Sequence, residues 1–118
     1  MRQLPDVAAA ADPWSGWDLY TSGALTVAAG TSAATPFWAA TTALIAEYAG
    51  LHRAGPLGFV DPMLYTLAAG RQRVHAFHDI TIGTNRYYPA TPGWDFATGL
   101  GSPQVANLAQ AVVAYLKR

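Results

Sequence analysis

At 118 residues the chain is long enough for one domain or a piece of one. Hydrophobic residues make up 52% and charged residues 12%, about half the charge of a typical soluble domain, so apolar surface must be buried within the chain or against a partner. A formal net charge of zero points away from nucleic-acid or anionic-membrane partners, and the absence of cysteine excludes disulfides and thiolate metal sites.

No long apolar stretch follows Met1-Arg2, so a signal peptide is not expected here. Leu4 to Ala11 reads as a strand or extended segment ended by Asp12-Pro13, followed by a loop through Trp14-Ser15-Gly16-Trp17. Ala24 to Ala28 suits a buried strand, and Gly30 breaks it. A helix is expected from about Ala33 to Tyr48, with Pro36 in its first turn, where a missing N–H matters little. Its most apolar part, Ala33 to Ala46, is shorter than the roughly 20 residues that cross a bilayer. Asp61-Pro62 reads as an N-cap and first helical residue, and Gly70 as the stop. Val74 to Thr81 suits a strand, and Gly83 to Gly101 is loop-rich. Ser102-Pro103 repeats the cap signal before a last helix, whose stripe is Val105, Leu108, Ala109, Val112 and Leu116. Lys117 and Arg118 suit its negative end. The alternation of strands and helices argues an α/β fold.

Gly30-Thr31-Ser32-Ala33-Ala34-Thr35-Pro36 falls between a predicted strand and a predicted helix. A helix N-terminus offers unpaired N–H groups and partial positive charge, which stabilise an alkoxide and an oxyanion. Gly30 has no side chain to keep a substrate backbone away, and Ala33 and Ala34 leave room around the Ser32 hydroxyl. Gly-Thr-Ser alone is more simply a helix cap. With proline four residues after the serine, it resembles the nucleophile segment of the subtilisin superfamily. A subtilisin triad runs Asp, His, Ser, but His52, His75 and His78 all follow Ser32. An α/β-hydrolase elbow needs glycine at position 34, which is alanine, although Ser32, Asp61 and His75 have the right chain order. A third reading replaces histidine by carboxylates.

Phe77 to Asn85 (FHDITIGTN) and Pro92 to Pro103 (PGWDFATGLGSP), with Pro5 to Pro13 (PDVAAAADP), resemble the sedolisin family, the serine-carboxyl peptidases. The likeness extends over nearly the whole chain. It implies the C-terminal part of a subtilisin-like, doubly wound parallel-sheet fold, with Ser32 as the nucleophile of an acid-active endopeptidase. Asp79 and Asp95 bring two carboxylates into glycine-rich loops, as a calcium ion requires. On spacing alone, ordinary turn residues are the better reading. The resemblance implies a calcium site with side-chain ligands from Asp79 and Asp95 and carbonyl ligands from Ile80, Thr91 and Gly93. Thr91 stands where the family usually has glycine, a swap that a carbonyl ligand tolerates where φ is negative. His75 and His78 are better read as hydrogen-bonded or exposed histidines than as transition-metal ligands.

The family's base is a glutamate, with an orienting aspartate four residues away, and a further aspartate serves the oxyanion. Carboxylates keep such a base functional in acid, where imidazole is protonated. The single glutamate here, Glu47, is followed at the fourth position by Leu51, and Asp6, Asp12 and Asp18 lie in no matching motif. The resemblance places the base pair and the oxyanion aspartate far upstream of the nucleophile. Three functions compete: a portion of an acid-active endopeptidase, inactive alone; a non-enzymatic calcium-binding module; and a subunit completing an active site with a separate N-terminal chain. The implied partners are a protein or peptide substrate and the missing N-terminal catalytic portion. Self-association is expected of the isolated chain. The parent enzyme is expected to be secreted.

Overall fold

The computed structural model describes residues 3–70 and 75–118. The first regular element is a hairpin of β1 (Trp17–Thr21) and β2 (Ala24–Ala28), antiparallel, with Trp17 opposite Ala28 and Thr21 opposite Ala24. Its two-residue loop, Ser22-Gly23, has φ values of 52° and 80°. Positive φ at both positions matches the twist of a tight hairpin. The loop expected through Trp17 is thus already the start of a strand. Ala24–Ala28 is a strand as expected but not a buried one, with Leu25 70% and Val27 51% exposed.

Three helices follow: α1 (Thr31–Leu51), α2 (Asp61–Ala69) and α3 (Val105–Leu116). α1 begins two residues earlier and ends three later than expected. Pro36 is therefore its sixth residue, beyond the first turn. Asp61 is the first residue of α2 and not its cap. Val60 caps it and accepts the Leu64 N–H at 3.0 Å. Gly70 ends α2 in an extended conformation, its N–H bonding the Thr66 carbonyl.

Of the strand expected over Val74 to Thr81, only β3 (Phe77–His78) forms, and Val74 lies outside the described residues. β3 pairs antiparallel with β4 (Ser102–Pro103). Ser102-Pro103 is therefore strand, and Gln104 caps α3 instead. Both sheets are two-stranded and antiparallel, so a parallel sheet is not formed among the described residues.

The core lies where α1 and α2 meet α3, at Ile45, Met63, Leu64, Leu67, Leu108 and Val112. The expected stripe of α3 does this: Leu108, Ala109 and Val112 are buried, and Leu116 packs at the margin. Lys117 caps the helix, and Arg118 lies 6.0 Å over the Tyr115 ring. No helix among the described residues is long and apolar enough to cross a membrane.

The strand expected over Leu4 to Ala11 does not form. The indole N–H groups of Trp94, Trp38 and Trp17 donate to the carbonyls of Pro5, Ala8 and Ala10 at 2.9, 2.9 and 3.2 Å. The main chain joins in: Leu100 N–H bonds the Asp6 carbonyl and Ala8 N–H bonds the Gly101 carbonyl, each at 2.9 Å. Gly99 allows this approach, and Gly101 allows that of the His78 main chain. A Cβ on Gly99 would meet the Asp6 carbonyl, and one on Gly101 the His78 carbonyl.

Candidate functional site

Ser32 is the second residue of α1 and is exposed. Ahead of it, Gly30 caps the helix with φ 75° and ψ −179°, a region essentially closed to residues with a side chain. The Gly30 carbonyl accepts the N–H groups of Ala33 and Ala34 at 3.0 and 3.2 Å. The N–H groups of Thr31 and Ser32 precede the first intrahelical bond and face the helix entrance. A Cβ at Gly30 would meet nothing nearer than the Ser32 nitrogen at 3.9 Å. Within this chain, then, backbone conformation and not crowding requires glycine there. Pro36 has no N–H for the Ser32 carbonyl, so the turn bearing the serine lacks one bond of its ladder.

The two titratable groups further along α1 and at its C-cap, Glu47 and His52, are not placed at Ser32. Glu47 lies fifteen residues along the same helix, about 22 Å away at 1.5 Å per residue. His52, the C-cap, lies about 30 Å away by the same measure, and its Nδ1 sits 2.8 Å from the Tyr48 carbonyl. Asp61 and His75 line different hollows, and Ser32 lines neither of them.

The carboxylates of Asp79 and Asp95 are each held by main-chain N–H groups of the segment 91–98. Asp79 accepts the Gly93 N–H through Oδ2 at 2.8 Å, and Asp95 accepts the Thr91 N–H through Oδ2 at 2.8 Å. Asp95 Oδ1 also takes the N–H groups of Ala97 and Thr98 at 2.8 Å, and the Thr98 hydroxyl lies 3.2 Å from it. Asp95 is buried, with 5% of its surface exposed. The Thr91 N–H, foremost, and those of Thr98 and Ala97 hold its carboxyl below the ordinary value of 3.8, against the opposing effect of burial. Thr98 went unnoticed in the sequence, although Asp followed three residues later by Thr is a local turn signal. Asn85 was missed too: its Oδ1 accepts the N–H groups of Tyr87 and Tyr88, and its amide donates to the Phe96 carbonyl.

The donor set can be tested against calcium. Asp79 Oδ1 and the carbonyls of Ile80, Thr91 and Gly93 accept no hydrogen bond among the described residues. Thr91 has no positive φ, so its side chain does not oppose the carbonyl role. Two carboxylates and three carbonyls make an all-oxygen set, which fits a hard cation. No group of three or more His, Asp or Glu side chains that could hold a metal ion exists among the described residues.

Known proteins give this geometry a context. No protein-family profile matches the chain. Kumamolisin from Bacillus sp. (strain MN-32) is 43% identical over 118 aligned residues, an alignment covering 95% of this chain and 20% of that protein. Tripeptidyl-peptidase 1 of Canis lupus familiaris is 34% identical, with the same two coverages. A structure of Pseudomonas sedolisin, a serine-carboxyl proteinase complexed with two molecules of pseudo-iodotyrostatin, superposes with a TM-score of 0.74 at 29% identity. The match covers 97% of this chain and 29% of that one. The chain is a sedolisin-family segment. It corresponds to the C-terminal portion of such a peptidase and has a subtilisin-like α/β fold. It spans about a fifth of the length of the curated relatives it matches.

Proposed function

We propose that this chain is the C-terminal portion of a secreted, acid-active serine-carboxyl endopeptidase, with Ser32 as nucleophile, and that it is inactive by itself. The observation that carries the reading is Ser32 itself: exposed, in the first turn of α1, behind a glycine-only cap, in a segment aligned with peptidases of this family. In the whole enzyme Ser32 Oγ attacks the scissile carbonyl carbon while its proton passes to a carboxylate base from the upstream region. The C–N bond then breaks, the amine leaves with that proton, and water hydrolyses the acyl-serine ester. The N–H groups at the entrance to α1 face the developing oxyanion. The doubly wound parallel sheet belongs to that whole domain, with the upstream region contributing its strands.

Calcium, where bound, takes Asp79 and Asp95 side chains and the carbonyls of Ile80, Thr91 and Gly93, and it supplies cross-linking of loops, not chemistry. α1 carries one charged residue in 21, yet only Thr41, Ile45 and Ala49 of it are buried. A helix apolar on all sides belongs inside a larger body. This favours a covering polypeptide, continuous or separately encoded, over a free-standing calcium module.

The test is reconstitution. The chain alone should cleave no peptide substrate between acid and neutral pH, because a serine without a base is a poor nucleophile and general-base catalysis alone contributes about 10²–10⁴-fold. Joining it to an upstream region bearing a Glu-x-x-x-Asp helix should restore acid proteolysis, and Ser32→Ala should abolish it. Acid proteolysis by the isolated chain, or activity surviving Ser32→Ala, would overturn the reading.

A further inference from the structure

We infer that residues 5–11 act as a positioning strap for the turn that carries Ser32, and that Trp94 is the positioning residue at the strap's far end. The importance of that turn rests on the function proposed above, but the contacts themselves do not. The strap grips α1 at two points. Gly30 N–H donates to the Ala11 carbonyl at 2.7 Å, and the Trp38 indole donates to the Ala8 carbonyl at 2.9 Å. Ser32 lies between these grips. From residue 30 to residue 38 a helix rises about 12 Å, and three extended residues reach about 10 Å, so the strap lies alongside the first two turns. Those turns are where Pro36 leaves the Ser32 carbonyl without its ladder partner. An outside support falls where the helix is weakest.

The strap is held in turn by the loop of Asp79 and Asp95. Trp94 stands between Gly93 and Asp95 and donates to the Pro5 carbonyl at 2.9 Å. Leu100 N–H bonds the Asp6 carbonyl, and the Tyr65 hydroxyl donates to Asp6 Oδ1 at 2.9 Å. Trp94 touches no reacting atom. It acts through the strap on Gly30, whose φ of 75° must be kept for α1 to start where it does. Undocking of the strap is a local opening of few buried contacts, the kind of event that amide exchange reports.

The decisive measurement is amide hydrogen exchange in this chain, comparing wild type with Trp94→Phe, which keeps a ring and removes the donor. The Gly30 amide should exchange about fivefold faster, the ratio that one net hydrogen bond supports, while the amides of Leu108 and Val112 in α3 keep their rates. Tyr65→Phe, which removes only a hydroxyl, should change Gly30 in the same sense and guards against a misfolded Trp94 variant. Unchanged Gly30 exchange in both variants, or equal acceleration in α3, would overturn the strap. In the reconstituted peptidase Trp94→Phe should lower kcat with KM kept. If Ser32→Ala leaves activity intact, the proposed function fails, while the exchange result still decides the strap.

Discussion

Gly30 and Asp95 show how single residues set this site. Gly30 stood out in the sequence as a place for close substrate approach, but what the fold demands of it is φ 75° with ψ −179°. That requirement is invisible in the sequence, because a glycine is compatible with either reason. Gly30→Ala should therefore destabilise the chain by about 1–3 kcal/mol, measured as a lower urea midpoint. An unchanged midpoint would mean the cap relaxes without loss. Asp95 was legible as a loop carboxylate, whereas its four-donor setting was not, since three of the donors are main-chain groups and the fourth is the Thr98 hydroxyl. Its folded pKa is depressed, so the ionised form is stabilised on folding. That stability is present above the unfolded value of about 3.9 and is lost as pH falls through the lower folded value. In calcium-free buffer, wild-type stability should hold down to about pH 4 and fall below it. Asp95→Asn should be less stable at neutral pH and flatter across that acid window. Calcium should raise the wild-type melting temperature, by an amount growing with ligand excess, and should raise that of Asp95→Asn far less. Equal melting in calcium and chelator would sink the metal assignment.

At the scale of elements, the apolar stripes were legible and the boundaries were not. The stripe of α3 is the one expected, because period and burial agree at Leu108, Ala109 and Val112. β1 was missed because Ser22-Gly23 was not recognised as a two-residue hairpin loop. Ser102-Pro103 imitated a helix cap, yet pairing with Phe77–His78 made it strand, a long-range contact that no local signal announces. The same contact gives glycines of equal appearance unequal weight. Gly83 and Gly101 both have positive φ, but a Cβ at Gly83 meets open space while one at Gly101 meets the His78 carbonyl. Gly101→Ala should be the more destabilising by about 1–3 kcal/mol, the usual penalty of overpacking. Comparing the two midpoints separates crowding from backbone strain, and equal losses would show that strain alone matters.

For the whole molecule the question is what covers its apolar surface. A compact chain of this length has a radius of gyration of about 13–14 Å, and this one has 15.5 Å. The hairpin presents Tyr20 73%, Leu25 70% and Val27 51% exposed. Leu44 at 59% and Leu51 at 76% extend the exposed apolar surface onto α1. Composition foretold surplus apolar surface without saying where it lies. Monomers rarely expose contiguous apolar patches beyond a few hundred Å², and a chain with 12% charged residues has few groups to keep copies apart. The isolated chain should therefore self-associate, with a light-scattering mass that rises with concentration. Leu25→Lys, placing a charge on the hairpin, should lower that mass at a given concentration without lowering the melting temperature, because Leu25 is not in the core. Under the proposed function, adding the upstream region should suppress association more fully than the lysine does, since it would cover α1 as well. A mass equal to one chain at all concentrations would mean that these faces tolerate water, and the case for a missing covering polypeptide would then rest on the alignment alone.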